Sequence, residues 1–140
     1  MPWLKYEALY SAILRFVKDK GIRVRHLDLK NGAGGYYDGA KVLITIDSKA
    51  RNKLDGCYYL LHEFFHYKDH RDGKFPKFFS SHLEYSDENL QLVIDAEMSA
   101  IKGGSKELKK WGIDYEPSEL TAAGLELTII FWKKYYFNID

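Results

Sequence analysis

Residues 58–70 read YYLLHEFFHYKDH, with His62 and His66 four positions apart and Glu63 directly after the first histidine. Residues four apart on an α-helix stand one turn above each other on the same face. Both imidazoles can therefore face one ion at ~2 Å. Glu63, offset by one position, reaches a water on that ion more readily than the ion itself. This is a His-Glu-x-x-His arrangement, two metal ligands followed by a general base. The plain alternative is a helix that is merely rich in histidine and phenylalanine. The division of its faces speaks for the metal: His62 and His66 line up with Tyr58, while Cys57, Leu61, Phe64 and Phe65 form a packing side.

Two histidines are not enough, because a catalytic zinc takes three protein ligands and keeps one position open. The downstream candidates are Asp69, His70, His82, Glu84, Glu88, Asp95 and Glu97. His70 continues the four-residue spacing but lies about 12 Å along the axis from His62, too far for an unbroken helix to share one ion. Glu97 is favoured. It falls in an apolar stripe with Leu90, Ile94 and Ile101, where a carboxylate is costly unless it is paired or bound to a metal. Asp95 falls on a mixed face and is expected to be solvated. His82, Glu84, Glu88 and Asp95 remain open as alternatives. Ala100, one turn after Glu97, is small enough to let this helix approach the histidine helix.

Outward from this centre, Leu4, Ala8, Leu9, Ala12, Ile13, Phe16 and Val17 recur at helical spacing and predict an amphipathic first helix, ending near Gly21. Ile22–Leu29 and Lys41–Asp47 read as strands. They are predicted to pair antiparallel across the glycine-rich turn KNGAGGYYDGA, with Lys41–Asp47 as an edge that an extended peptide can join. Asn52 or Asp55 caps the histidine helix, which runs to about Asp69. RDGKFPKFFSSHLEYS (residues 71–86) is a loop. Asp87 caps the next helix, and Gly103-Gly104 are read as its stop. SKELKKWG adds a turn or two. The last helix has Pro117 in its first turn and Gly124 as a weak point. The order α-β-β-α-α-α describes one α+β domain over residues 1–140, with a short antiparallel sheet packed against helices.

The chain of 140 residues carries a formal net charge of +1, so nothing draws it generally to nucleic acid or to an anionic membrane. Its one cysteine, Cys57, rules out a disulfide framework and is read as a packing residue. The N-terminal residues do not read as a signal peptide. The apolar run Leu127–Trp132 is far shorter than the ~20 residues of a membrane span. The expected location is the cytoplasm.

KVLITID, YYLLHEFFH and DAEMSA, taken together, resemble the ImmA/IrrE-type metallopeptidases, zinc enzymes of the gluzincin kind, over about Gly32 to Ala100. The resemblance implies a zincin-like fold with the His-Glu-x-x-His on a central helix. It implies one Zn2+ held by His62, His66 and Glu97, Glu63 as base, and a protein substrate such as a transcriptional repressor. Two departures are the long segment between His66 and Glu97 and the glycines after DAEMSA.

Activity of this kind also needs a donor for the developing oxyanion. Tyr36, Tyr37, Tyr58, Tyr59 and His82 are candidates, with His82 ranked first because its loop can close over the site. His26 is read as structural. Two other functions compete with peptide hydrolysis: a non-catalytic zinc-containing binding module, and a hydrolase of small amides. The intact Glu63 argues against the first.

Overall fold

The computed structural model describes residues 6–80 and 82–139. Leu4, the first member of the predicted stripe on the first helix, lies outside them. The elements are α1 (Glu7–Lys18), β1 (Arg23–Leu27), β2 (Gly35–Asp38), β3 (Leu43–Asp47), α2 (Leu54–Arg71), α3 (Pro76–Phe79), α4 (Asp87–Lys110) and α5 (Ala122–Phe137), with 3-10 turns at Ser48–Ala50 and Ser118–Leu120. This is an α+β arrangement, five helices against a small sheet.

The sheet is mixed, not antiparallel throughout as the sequence predicts. β3 lies between β1, which it pairs in parallel, and β2, which it pairs antiparallel. The segment read as a glycine-rich turn contains the missing strand. β2 reverses the chain between the two predicted strands, so β1 and β3 must run the same way. β3 is therefore central, not the predicted edge, and Leu43 to Ile46 are all buried. Its inner residues Ile44 and Ile46 face α1 and α2, where they meet Tyr10, Ile13, Val17, Leu60, Leu61 and Phe64 in the main core. The outer row is a polar strap: Arg25 and Tyr36 flank Thr45 in register, and the Arg25 guanidinium donates to both hydroxyls at 2.8 Å.

On the inner face His26 Nε2 meets the Tyr10 hydroxyl at 2.6 Å. Burial lowers the His26 pKa, helped by the charges of Arg51 and Lys18. The unfolded chain, with histidine near its ordinary value of about 6.5, then binds the proton first as pH falls. Stability linked to His26 is fully present above that value and is lost as pH drops below it. His26→Gln is expected to flatten the fall in urea midpoint between neutral and mildly acidic pH. An unchanged slope would show that His26 carries none of it.

α4 is the second spine. It runs unbroken through Gly103 and Gly104, not stopping there as the glycine pair predicts. Each glycine costs a helix about 1 kcal/mol relative to alanine, and here packing overrides that cost. A Cβ at Gly104 would stand 3.0 Å from the His62 backbone nitrogen, and one at Gly103 would overlap the Phe65 ring. Buried Ala96, Ala100 and Gly104 thus make a shallow face on which α2 rests, as expected for Ala100. Ser86, not Asp87, caps this helix, accepting from the Asn89 amide.

Val93 and Ile101 of α4 form a second core with Trp132 and Phe137 of α5. α5 begins after Pro117, with Thr121 as its cap accepting from the Gly124 amide. Gly124 is therefore a first-turn residue, pressed against the Ser118 carbonyl, rather than a weakness inside the helix. No helix among the described residues is long and apolar enough to cross a membrane.

Candidate metal centre

α2 stacks Tyr58, His62, His66 and His70 along one side, as the four-residue spacing requires. The His62 and His66 rings are 4.8 Å apart and nearly perpendicular. Ligand atoms of His62, Glu63 and His66 all lie within 4.8 Å of one another, a group able to hold a metal ion. From the facing helix, Glu97 Oε1 comes within 3.2 Å of His62 Nε2 and 2.5 Å of His66 Nε2. Glu63 Oε2 is 4.0 Å from His62 Nε2. Two carboxylates thus compete for the third donor place, and Glu97 alone touches both imidazoles.

The chemistry of this donor set fits a divalent ion. Two ligands about 2.1 Å from a tetrahedral zinc stand roughly 3.4 Å apart, near the 3.2 Å between His62 Nε2 and Glu97 Oε1. His66 Nε2 and Glu97 Oε1 stand closer together than that, at 2.5 Å. His66 Nδ1 is buried with no hydrogen-bond partner among the described residues. Its ring is held instead by stacking on Phe78, 5.3 Å away. His62 Nδ1 is hydrogen-bonded to the Tyr58 hydroxyl at 3.2 Å. Tyr136 donates from α5 to Glu97 Oε2 at 2.9 Å.

The two buried carboxylates shift in opposite directions. Burial pushes the Glu63 pKa up to about 8; the charge of His62 opposes the rise and that of Glu97 adds to it. Burial alone would raise Glu97 too, but the charge of His66 and hydrogen bonds from both histidines outweigh it and hold Glu97 well below the usual carboxylate range. Glu63 has room because Gly35 faces it: a Cβ there would sit 3.5 Å from Glu63 Cγ and closer still to the Thr45 carbonyl and Ile46. Burial, followed by the charge of Glu97, also raises the Tyr136 hydroxyl well above its ordinary value, so it stays a donor.

The other predicted residues fall elsewhere. Asp69 is buried and accepts from Ser99 at 2.7 Å, tying α2 to α4. His70 bonds to the Tyr37 hydroxyl at 2.9 Å. Asp95 is exposed and bonded to Gln91. His82, Glu84 and Glu88 are exposed, and none lines the cavity at the histidines. The loop carrying His82 does not bring it to the site; Phe78 and Phe79 of α3 stand at the cavity instead. Tyr36, Tyr37, Tyr58 and Tyr59 do line it. Cys57 is fully buried and its thiol is pushed up to about 12 by that burial, as suits a packing residue.

Sequence reading missed Tyr136 and the whole α5 wall. The signal was there: between Glu126 and Lys133–Lys134, residues 127–132 read LTIIFW, more apolar surface than one narrow core-facing stripe requires. The cavity of about 830 Å³ lies between the α2–β2 side and α5. Compared with known proteins, the chain matches no family model, no curated protein and no solved structure.

Proposed function

We propose that this chain is a zinc-dependent metallopeptidase of the ImmA/IrrE-like kind, with a zincin-like fold, acting on a protein substrate in the cytoplasm. One observation carries the reading: Glu97 Oε1, from a second helix, reaches the Nε2 atoms of both histidines, with Glu63 beside them and a large cavity in front. His62, His66 and Glu97 hold the ion. Zinc, when bound, supplies Lewis acidity that polarises a carbonyl and acidifies water toward neutral pH.

The protein's own groups do the rest. Tyr58 and Phe78 fix the two imidazole planes, and Tyr136 fixes the Glu97 carboxylate. Glu63, unligated and buried, takes the proton from the attacking water and passes it to the leaving amine nitrogen. Its site is walled by Gly35 and the sheet, which keeps bulk water away from the transfer. β2 is the sheet edge on the cavity. It takes the place given to Lys41–Asp47 as the strand an extended substrate can join.

Metal content measured by mass spectrometry tests the ligand set. About one zinc per chain is expected in the wild type, and loss in both His66→Ala and Glu97→Ala. Zinc retained in Glu97→Ala would transfer the third place to Glu63. No metal in the wild type, even after zinc is added back, would end the enzyme reading. Tyr136→Phe removes a hydrogen bond to the ligand without touching the donor atoms. It is expected to weaken zinc about tenfold in chelator competition; unchanged affinity would show that Glu97 needs no such support.

A further inference from the structure

The cavity is far larger than an ion and its ligands require, and its two long walls differ. One wall is β2, which runs beside α2: Gly34 lies against the Tyr59 ring, Gly35 against Glu63 and Gly39 against the His70 ring. Tyr59 to His70 spans about 16 Å of helix at ~1.5 Å per residue, the length of roughly five extended residues at ~3.3 Å each. The opposite wall is α5. Its Leu125, Ile129 and Trp132 are committed to the second core. Leu127, Phe131 and Tyr135 line the cavity beside the edge of Trp132, yet remain 70 %, 36 % and 36 % exposed. An apolar row left open at the mouth of a cleft marks a surface that an apolar ligand group covers.

Charge is just as uneven. Among the described residues lining the cavity there is no lysine or arginine, while Asp38, Glu63, Glu97 and Glu119 all contribute carboxylates. A divalent ion would offset Glu63 and Glu97. Asp38 and Glu119 remain, one at each end of the cleft. Asp38 closes β2 next to Gly39, at the His70 end. Glu119 stands by Tyr58 and Tyr59, close enough for its charge to disfavour ionisation of both hydroxyls. A cleft with like charges at both ends and low-dielectric walls between them attracts the opposite sign and repels its own.

We propose that the cleft binds a short extended peptide segment with a bulky apolar side chain at its centre, flanked by lysine or arginine, and rejects acidic segments. The apolar side chain packs on Leu127 and Phe131, and the flanking cations approach Asp38 and Glu119. The choice of a peptide as occupant rests on the peptidase reading; the apolar centre and basic flanks rest on the lining.

Binding is measured apart from hydrolysis, by fluorescence anisotropy of labelled peptides of about seven residues on the zinc-loaded wild type and on zinc-loaded Glu63→Gln. The centre is leucine or glycine and the flanks lysine, serine or glutamate. The leucine-centred lysine peptide is expected to bind about tenfold more tightly than its glutamate counterpart, with the contrast shrinking as salt is raised. Glu119→Lys is expected to remove most of that contrast. Leu127→Asp is expected to bring leucine-centred peptides down to the level of glycine-centred ones. Equal binding of lysine and glutamate peptides, tighter binding of the glutamate peptide, or no binding of any of them would overturn the proposal. Peptides bound with the expected preference but never cut by the wild type would sink the peptidase reading and leave the specificity standing. Cutting without charge preference would do the reverse.

Discussion

Glu63→Gln is expected to lower hydrolysis of an unfolded protein substrate by about 10²–10⁴-fold, the usual contribution of a positioned acid–base group. Zinc content is expected to stay at the wild-type level. Glutamine keeps the size of the side chain in its place beside Gly35 but cannot take up the proton. The measurement pairs a rate with a metal assay, and the pair separates two roles. Glu63 belongs to a group of donors close enough for one ion, so loss of both zinc and rate would make it a ligand and displace Glu97. Loss of rate alone fits the base. Retention of rate would remove Glu63 from the chemistry altogether.

The second large effect is at the helix crossing. Gly104→Val is expected to cost about 1–3 kcal/mol of stability and to weaken zinc at least tenfold. The first atoms a Cβ meets are the His62 backbone nitrogen and Cα, at 3.0 and 3.1 Å. Backbone of a packed helix cannot swing aside as a side-chain tip can, so α4 must back away from α2. Glu97 lies two turns earlier on the same buried face of α4, and its carboxylate retreats from both imidazoles. Lys106→Val is the control: it places the same β-branched residue on the exposed side of the same helix and carries only the propensity cost, under about 1 kcal/mol. Thermal melts and chelator competition on both variants check the point. Valine is a better helix former than glycine, so any loss at Gly104 reports the crossing; a loss no larger than that of Lys106→Val would show that the crossing tolerates the side chain.

The His62-Glu63-x-x-His66 arrangement was legible in the sequence because it is local. Spacing of four on a helix determines which side chains share a face, whatever the rest of the chain does. Glu97 was legible for a related reason: a carboxylate in an apolar stripe demands a partner, and it has one in each histidine. The two strongest strands were readable from their β-branched and alternating residues. What periodicity could not carry was direction and order in the sheet. β2 has only four residues, Gly-Tyr-Tyr-Asp, beginning on a glycine. Such a segment becomes a strand only when an existing edge pairs with it, and that single pairing made the sheet mixed and β3 central.

The glycines show the same division. Gly103 and Gly104 read as a helix stop because isolated propensity disfavours them in a helix interior. Contact with α2 reverses the outcome, since only a residue without Cβ allows that approach. The sequence by itself determined the placing of His62 and His66 on one helix face, the packing role of Cys57 and the α+β class, all set by residues near one another in the chain. The tertiary structure alone decided the sheet order, the passage of α4 through its glycines, the exclusion of His82 from the cavity and the support of Glu97 by Tyr136, 39 residues away. Those depend on contacts between distant segments, whose energies local spacing does not encode.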